Sequence, residues 1–394
     1  MKTKLAFLIS HPIQYYSPLF RQLAKHPKLD LTVLYCSDES VKRMKDIGFG
    51  KDIKWDIPLL KGYKHRFLKN ISPIKTIFSP PFGLFNPSII CELSKYDAVI
   101  IHGRHYVTHW LAYFAAKLKR VPVLLREETP LNQDRNRNFL SRLILRILFK
   151  GIDGFLAIGT ENKKFYESYG AKKDKIFMTP YAVENARFIE NYRKLKAQKR
   201  KLKREIGIES YKPVILFSGK LIEKKRPMDL LKAYEQLKVK NKALVFVGDG
   251  ELKEALCKYS EENNIKDVHF AGFQNQTELP KYYAAADLLV LPSGIGETWG
   301  LVVNEAMCFH LPVIVSDICG CSKDLVKPGQ NGFVFGIGNI IELSKYLELL
   351  LRNQSLRQKM GKESFKMIQK WSYKEDVEGI LAALDSIKNE NPSN

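Results

Sequence analysis

Two glutamates stand eight positions apart, Glu297 and Glu305, in the stretch Leu291-Pro-Ser-Gly-Ile-Gly-Glu-Thr-Trp-Gly-Leu-Val-Val-Asn-Glu-Ala-Met307. An apolar run ends at Leu291, a glycine-containing loop follows, and the pattern predicts a helix beginning near Trp299. The first N–H groups of a helix lack carbonyl partners and carry the positive end of its dipole. Thr298, Trp299, Gly300 and Leu301 therefore form a candidate anion site of the kind that takes phosphate. Glu297, in the loop at its mouth, can accept hydrogen bonds from sugar hydroxyls, and Glu305, inside the helix, can hold a ribose diol. Taken alone, the same spacing also fits two ordinary helix charges. Cys308, His310, Cys319 and Cys321 crowd together just beyond. Their spacing fits no zinc hairpin, and Pro312 to Ser316 between them reads as a buried strand, so they are expected to be small core residues and no metal is expected.

Such groups need a scaffold that brings strand ends together. Short apolar, β-branched runs recur in the first half at Leu5–Ile9, Leu31–Tyr35, Ala98–Ile101, Val121–Leu125, Phe155–Ile158 and Ile176–Met178. In the second half they recur at Val214–Phe217, Leu244–Val247, Val268–Ala271, Leu288–Leu291, Val313–Ser316 and Phe333–Phe335. Continuous apolar runs separated by helical stretches are the mark of parallel strands buried on both faces. The alternation occurs twice, which predicts two doubly wound α/β domains facing a cleft at the carboxyl ends of their strands. The expected division is 1–190, a basic linker at 191–211, and 212–375. A final helix at 376–394 is expected to cross back to the first domain. Between Arg193 and Arg204 the chain has eight basic residues and no acid, which reads as a solvated helix or linker face.

The 394 residues carry 64 Lys and Arg against 42 Asp and Glu, a formal charge of +22. Charge of this sign fits nucleic acid, anionic headgroups or phosphorylated substrates, and says nothing of fold. Apolar residues make up 45%, enough to exclude wholesale disorder, and six scattered cysteines exclude a disulfide scaffold. Near the start, His11, Gln14 and Ser17 interrupt what could be a signal segment, so the expected location is cytoplasmic.

The second half resembles the retaining glycosyltransferases of family 4, which have the GT-B fold. The resemblance runs through Phe217-Ser-Gly-Lys220-Leu-Ile-Glu-Lys-Lys225-Arg-Pro, Val247-Gly-Asp-Gly-Glu-Leu, Phe270-Ala-Gly-Phe and Tyr282-Tyr-Ala-Ala-Ala-Asp287. It continues through the two-glutamate stretch, Leu311-Pro-Val-Ile-Val-Ser-Asp and Asp324-Leu-Val-Lys-Pro-Gly-Gln-Asn-Gly-Phe. It implies that Glu297 contacts the donor sugar, that Glu305 contacts the nucleotide ribose, and that Lys220 and Lys225 hold the donor diphosphate. Arg226 could share the Lys225 role. The chain has no DxD motif to hold a divalent cation, and two cations with a helix start can stabilise the departing diphosphate instead. Lys220 stands where the family usually has Arg, which keeps the charge but loses the planar fork. His310 stands where the family usually has Gly, and is expected either to narrow the nucleotide pocket or to point to solvent.

In the first half, His102 closes a strand and matches a histidine that the resemblance places beside the transferred sugar. His105 and His109 are weaker rivals. The stretch His11-Pro-Ile-Gln-Tyr15-Tyr-Ser-Pro-Leu-Phe20 resembles a subset of the same family, and His11 and Tyr15 are expected on the acceptor side. Residues 61–88 interleave Lys61, Lys64, Arg66, Lys69 and Lys75 with Tyr63, Phe67, Phe78, Phe82 and Phe85, and four prolines break any helical period. They are expected to form a long functional loop.

The resulting expectation is a retaining, metal-independent glycosyltransferase with no cofactor beyond its nucleotide diphosphate sugar. Its acceptor is expected to be a saccharide that is lipid-linked or a surface-polysaccharide precursor. No nucleic-acid partner is expected. Two rival expectations are a basic nucleic-acid-binding protein on an α/β scaffold and a non-catalytic GT-B partner subunit. The stretch Arg135–Lys150 sets Arg135, Arg142, Arg146 and Lys150 in one narrow arc, with Leu140, Leu143, Ile144, Ile147 and Leu148 over the remainder. A helix apolar over most of its circumference is expected to be buried with its basic stripe exposed. Peripheral attachment of that stripe to an anionic membrane surface, at its inner face, is the competing expectation.

Overall fold

A computed structural model describes residues 2–41, 44–46, 48, 50–134 and 138–390. The chain divides into two compact units. The first comprises Met1–Met44, Ile57–Tyr181 and Tyr373–Asn394; the second comprises Lys45–Asp56 and Ala182–Ser372.

The first unit contains β1 (Thr3–Ile9), β2 (Leu29–Tyr35) and, beyond the short pair β3 (Met44–Asp46) and β4 (Lys51–Ile53), the strand β5 (Lys64–Phe67). It continues with β6 (Ala98–His102), β7 (Val123–Glu127), β8 (Gly154–Ala157) and β9 (Ile176–Met178). These seven strands, β3 and β4 apart, form one parallel sheet in the order β5-β2-β1-β6-β7-β8-β9. The register is regular: Leu5 lies opposite Leu31 and Ala98, and Phe7 opposite Val33 and Ile100. Helices on both faces bury β1 and β6 almost completely, which is why their sequences run apolar without alternation. The chirality of parallel crossovers and strand order put the first connection, β1 to β2, on one side and β6 on the other, so the carboxyl ends of β1 and β6 lie side by side.

The second unit contains β10 (Val214–Ser218), β11 (Ala243–Val247), β12 (Val268–Gly272), β13 (Leu288–Leu291), β14 (Val313–Ser316) and β15 (Gly332–Phe335). They form a six-stranded parallel sheet in the order β12-β11-β10-β13-β14-β15, so β10 and β13 are neighbours at the point where the order reverses. Ligand sites in open α/β sheets form at that point, beyond the carboxyl ends of the strands.

Three expectations differ from the structure. The segment 191–211 is no linker: helices Asn185–Leu195 and Lys199–Glu205 belong to the second unit. Leu202 is buried, and the ammonium groups of Lys199 and Lys203 lie 2.9 and 2.7 Å from the Asp287 carboxylate, which offsets part of the run's self-repulsion. Residues 61–88 are not all loop, since Lys64–Phe67 adds the edge strand β5. The remainder is held by side chains, with the Asn86 amide donating to the Cys36 and Leu68 carbonyls at 3.0 Å each. The helix Phe139–Lys150 exposes Leu140, Leu143, Ile144 and Ile147, the residues expected to be buried, and keeps Leu145 and Phe149 in the core. Arg135 lies outside the described residues. The final helix, Tyr373–Glu390, packs on β8, β9 and the helix Tyr16–Lys25 of the first unit. Among the described residues no helix is long and apolar enough to cross a membrane.

Candidate functional site

In the second unit the chemistry gathers past the ends of β10 and β13. β10 runs into Gly219, Lys220 and a short turn, Glu223–Lys225, and the chain then bends at Arg226 into the helix Pro227–Glu235. β13 runs into Pro292, Ser293 and the loop that carries Glu297, followed by the helix Leu301–Cys308. The Gly294 N–H donates to the Lys224 carbonyl at 2.7 Å, which ties the two loops together.

That tie sets Lys225 against Glu297. Their side chains form a buried ion pair, with 15% and 9% of each side chain exposed. Burial by itself would raise the Glu297 carboxyl, but the ammonium groups of Lys225 and Lys224 outweigh it, and the group sits below its ordinary value. Glu297 is therefore a carboxylate at neutral pH, held next to two cations. Lys224 was not singled out from the sequence; its position in the Lys-Lys-Arg run was the available signal. Lys220 extends along the backbone of Gly48, where a Cβ would come within 2.8 Å of the Lys220 Nζ. The Arg226 guanidinium turns to Asp229, with Nε 2.6 Å from the carboxylate.

The helix begins at Leu301, two residues later than expected, with Gly300 as its N-cap at φ 99°. No side chain caps it; the Val303 N–H donates to the Gly300 carbonyl at 2.9 Å, and the N–H groups ahead of it lie outside the helix's own hydrogen-bond ladder. A Cβ at Gly300 would meet the Leu291 side chain at 2.5 Å. The loop is fixed from behind: the Gly320 and Cys321 N–H groups donate to the Glu297 and Trp299 carbonyls, and a Cβ at Gly320 would lie 1.8 Å from the Thr298 oxygen. The Trp299 side chain is buried, stacked on Trp371 at 5.4 Å and donating through Nε1 to the Asn304 Oδ1 at 2.9 Å. Trp299 can thus serve an anion through its backbone alone. Glu305 is fully buried and accepts from the Tyr283 hydroxyl at 2.6 Å. Tyr283 and Asn304 are supports that the sequence reading did not assign.

His310 neither narrows a nucleotide pocket nor points freely to solvent. It adopts φ 57° and stacks between Tyr192 at 4.4 Å and Phe365 at 4.0 Å. The left-handed backbone explains why glycine suits this position. It borders a cavity of about 1100 Å³ that Pro213, Asp287 and Leu311 also line, at the amino-terminal edge of the sheet. Cys308, Cys319 and Cys321 are buried thiols.

In the first unit, His102 ends β6. Its Nε2 is 2.7 Å from the Tyr16 hydroxyl and 3.5 Å from the Glu128 carboxylate. Tyr16 is buried and opens the helix Tyr16–Lys25, so the HPIQYY stretch supplies His102 with a partner one residue beyond Tyr15. Tyr15 contributes its carbonyl, which accepts from the Tyr373 hydroxyl at 2.6 Å. The His11 ring bonds the Ser10 hydroxyl through Nδ1, and burial together with nearby His102 pushes it down to about 4, so it is neutral at pH 7. His109 is buried, and neither ring nitrogen has a hydrogen-bond partner among the described residues. Burial pushes it down to about 3. His105 lies exposed beside this group.

The comparisons with known proteins agree with this geometry. Residues 198–367 match the family model described as Glycosyl transferases group 1. The chain is 28% identical over 320 residues to the sulfoquinovosyl transferase SQD2 of Arabidopsis thaliana, covering 78% of this chain and 59% of that protein. It is 24% identical over 284 residues to an α-1,4-N-acetyl-D-galactosaminyltransferase of Campylobacter jejuni, named for an undecaprenol diphosphate glycan, covering 71% and 72% of the two chains. The Anabaena protein HepE, solved in complex with UDP, superposes with a TM-score of 0.74 at 18% identity, over 98% of this chain and 100% of that one. The fold is therefore GT-B, and residues 198–367, less than half of the chain, are similar to the group 1 glycosyltransferases.

Proposed function

We propose that this protein transfers a sugar from a nucleotide diphosphate sugar to a saccharide acceptor, with retention of configuration and without a metal cofactor. The observation that carries the reading is the Lys225–Glu297 ion pair beside the uncapped helix start at Gly300. Diphosphate departing from a sugar gains negative charge, and preorganised cations and N–H groups stabilise that charge without reorganising. Lys225 and Lys220 supply the cations, the backbone of Thr298 to Leu301 supplies the N–H groups, and Arg226 stands next in line. Glu297 accepts from the sugar hydroxyls and Glu305 from the ribose diol. His102, positioned by Tyr16, is assigned to the sugar near its anomeric carbon, and His11 and Tyr15 to the acceptor side. No side chain is assigned as a covalent nucleophile. The acceptor hydroxyl attacks from the face that the diphosphate leaves, its oxygen bonds to the anomeric carbon as the carbon–phosphate oxygen bond breaks, and its proton passes to the departing phosphate oxygen.

The acceptor we favour is a lipid-linked or surface-polysaccharide precursor. The Campylobacter jejuni relative, which covers more than two thirds of both chains, is named for such a substrate. A thermal-shift panel of UDP-, GDP- and ADP-sugars, repeated in EDTA, tests the donor class. Ligand at 100 times its dissociation constant stabilises by about 2.7 kcal/mol. UDP-sugars come first because HepE was solved with UDP-glucose. A stabilising donor whose sugar is then transferred in EDTA supports the reading. Transfer abolished by EDTA and restored by magnesium or manganese overturns metal independence, and no shift with any nucleotide sugar overturns the whole reading.

A further inference from the structure

The helix Phe139–Lys150 breaks the rule that an apolar helix face is covered. Its Asn138 cap accepts from the Leu140 N–H at 3.0 Å, and Leu145 and Phe149 anchor it to the core of the first unit. The other apolar residues face outward: Phe139 is 78% exposed, Leu140 59%, Leu143 40%, Ile144 49% and Ile147 58%. At 100° per residue these five fill one continuous arc of about 140°. Arg146 borders one edge of that arc with Arg142 beyond it, Lys150 in the last turn falls just inside the same edge, and the helix carries no acidic residue. The Tyr113 hydroxyl donates to the Leu148 carbonyl at 3.2 Å, which holds the helix Val107–Leu118 alongside, and there Phe114 and Leu118 are also exposed, at 54% and 87%.

We propose that this face docks on an anionic bilayer, the helix lying in the plane of the interface. Apolar side chains enter the boundary between headgroups and acyl chains, while the bordering cations meet phosphate groups at the level where the headgroups carry their charge. Charge decides the occupant. In a twofold dimer this face would meet itself, bringing Arg146 and Lys150 of one copy near the same cations of the other with no carboxylate on the helix to answer them. A bilayer of phosphatidylglycerol presents a negative charge to each of them. An apolar face of this extent left in water is a liability that attachment removes. The inference goes beyond sugar transfer and stands whatever donor or acceptor the protein uses.

Co-sedimentation of the full chain with vesicles tests it, using phosphatidylglycerol mixed with phosphatidylcholine against phosphatidylcholine alone, at low and high salt. The triple substitution Leu143→Ser, Ile144→Ser, Ile147→Ser removes the apolar arc, and Arg146→Glu with Lys150→Glu reverses the border. All five side chains are exposed, and each variant's thermal melt checks its fold. The wild type is expected to pellet with anionic vesicles and to be released by salt. Each variant should lose about tenfold or more in partitioning. The melting shift with nucleoside diphosphate, which reports on the second unit, should stay the same in both, so failure of docking and failure of the transfer reading are separable. No pelleting at low salt, or a serine triple variant that pellets like the wild type, overturns the proposal. A wild-type dimer that the serine variant dissociates, without vesicle binding, assigns the face to a second copy instead.

Discussion

Arg126 and Asp376 form a two-pronged ion pair in the interior of the first unit, with nitrogen–oxygen distances of 2.6 and 2.8 Å and almost no solvent at either side chain. Arg126 lies near the end of β7 and Asp376 in the first turn of the helix Tyr373–Glu390. The guanidinium also covers the Tyr16 ring at 5.5 Å, and Tyr16 in turn bonds His102. The pair thus fixes the C-terminal helix and, through Tyr16, the orientation of a candidate site residue.

Removing one partner leaves the other buried and uncompensated. Asp376→Leu should therefore destabilise by about 3–5 kcal/mol. Arg126→Met in the same chain should recover most of that loss, because apolar residues of similar volume replace a buried pair at little cost. Urea midpoints of the two single variants and the double variant measure it. A double variant no more stable than Asp376→Leu alone would show that the pair does more than neutralise itself.

His109 gives the first unit a pH-dependent stability. Its ring is pushed down to about 3 by burial, from an ordinary value of 6.5. Between these values the unfolded chain binds a proton that the folded chain refuses, so stability falls as the pH drops from 6.5 towards 3. The slope is about 1.4 kcal/mol per pH unit for one such group. His109→Leu should remove that share of the slope, measured by urea unfolding at pH 7, 6 and 5. An unchanged slope would show that the ring protonates in the fold.

The strands were readable because burial on both faces leaves no reason for polar alternation, as in Phe7-Leu8-Ile9 or Val245-Phe246-Val247. β5 was not, because Lys64-His-Arg-Phe67 is an edge strand whose side chains are largely exposed and carry no apolar period. Periodicity showed the helix at Phe139–Lys150 to be amphipathic but could not say whether another element covers it, since that depends on the packing of helices far apart in sequence. The Arg126–Asp376 pair joins positions 250 residues apart and leaves no local signal. Tyr16 was hidden by its neighbour. Two tyrosines in a row offer two candidates, and the register of the helix that Tyr16 begins decides which ring reaches His102.

Lys225→Ala should weaken nucleoside diphosphate binding twice over, by removing a cation and by leaving the Glu297 charge unanswered near the phosphates. Glu297→Gln should leave that binding nearly intact and cut turnover by the worth of a charge-assisted hydrogen bond, about 1.5–3 kcal/mol. The double variant should then bind nucleoside diphosphate better than Lys225→Ala alone while remaining as slow as either. Calorimetric titration and initial rates complete the cycle. Additive binding losses would mean that the two residues do not share the diphosphate.

His102→Ala should leave nucleoside diphosphate affinity unchanged and reduce transfer, because its assigned partner is the sugar. Tyr16→Phe keeps the buried ring but removes the hydroxyl at 2.7 Å from Nε2. It should reduce kcat less than His102→Ala and leave KM for the donor little changed, since the imidazole then keeps Glu128 but loses the hydroxyl that orients it. An unaltered kcat in Tyr16→Phe would make that hydrogen bond purely structural. Sensitivity at His105 with His102→Ala fully active would move the role to the rival residue.

Gly300 tests the helix start without touching a charge. At φ 99° and ψ 59° it occupies a conformation that side chains rarely adopt, and a Cβ there would meet Leu291 at 2.5 Å. Gly300→Ala must therefore either strain the backbone, at about 1–3 kcal/mol, or rotate the residue out of the left-handed region. Both routes displace the N–H groups that begin the helix Leu301–Cys308, while Lys225 and Glu297 keep their chemistry. The expected result is a folded protein with a lowered melting temperature whose stabilisation by nucleoside diphosphate falls, although no charged group has changed. Pyrophosphate alone should lose affinity in the same proportion as the nucleoside diphosphate, since the backbone groups are assigned to phosphate and Glu305 to ribose. Undiminished pyrophosphate binding in a destabilised Gly300→Ala protein would remove the helix start from the site and leave the phosphates to Lys220, Lys225 and Arg226.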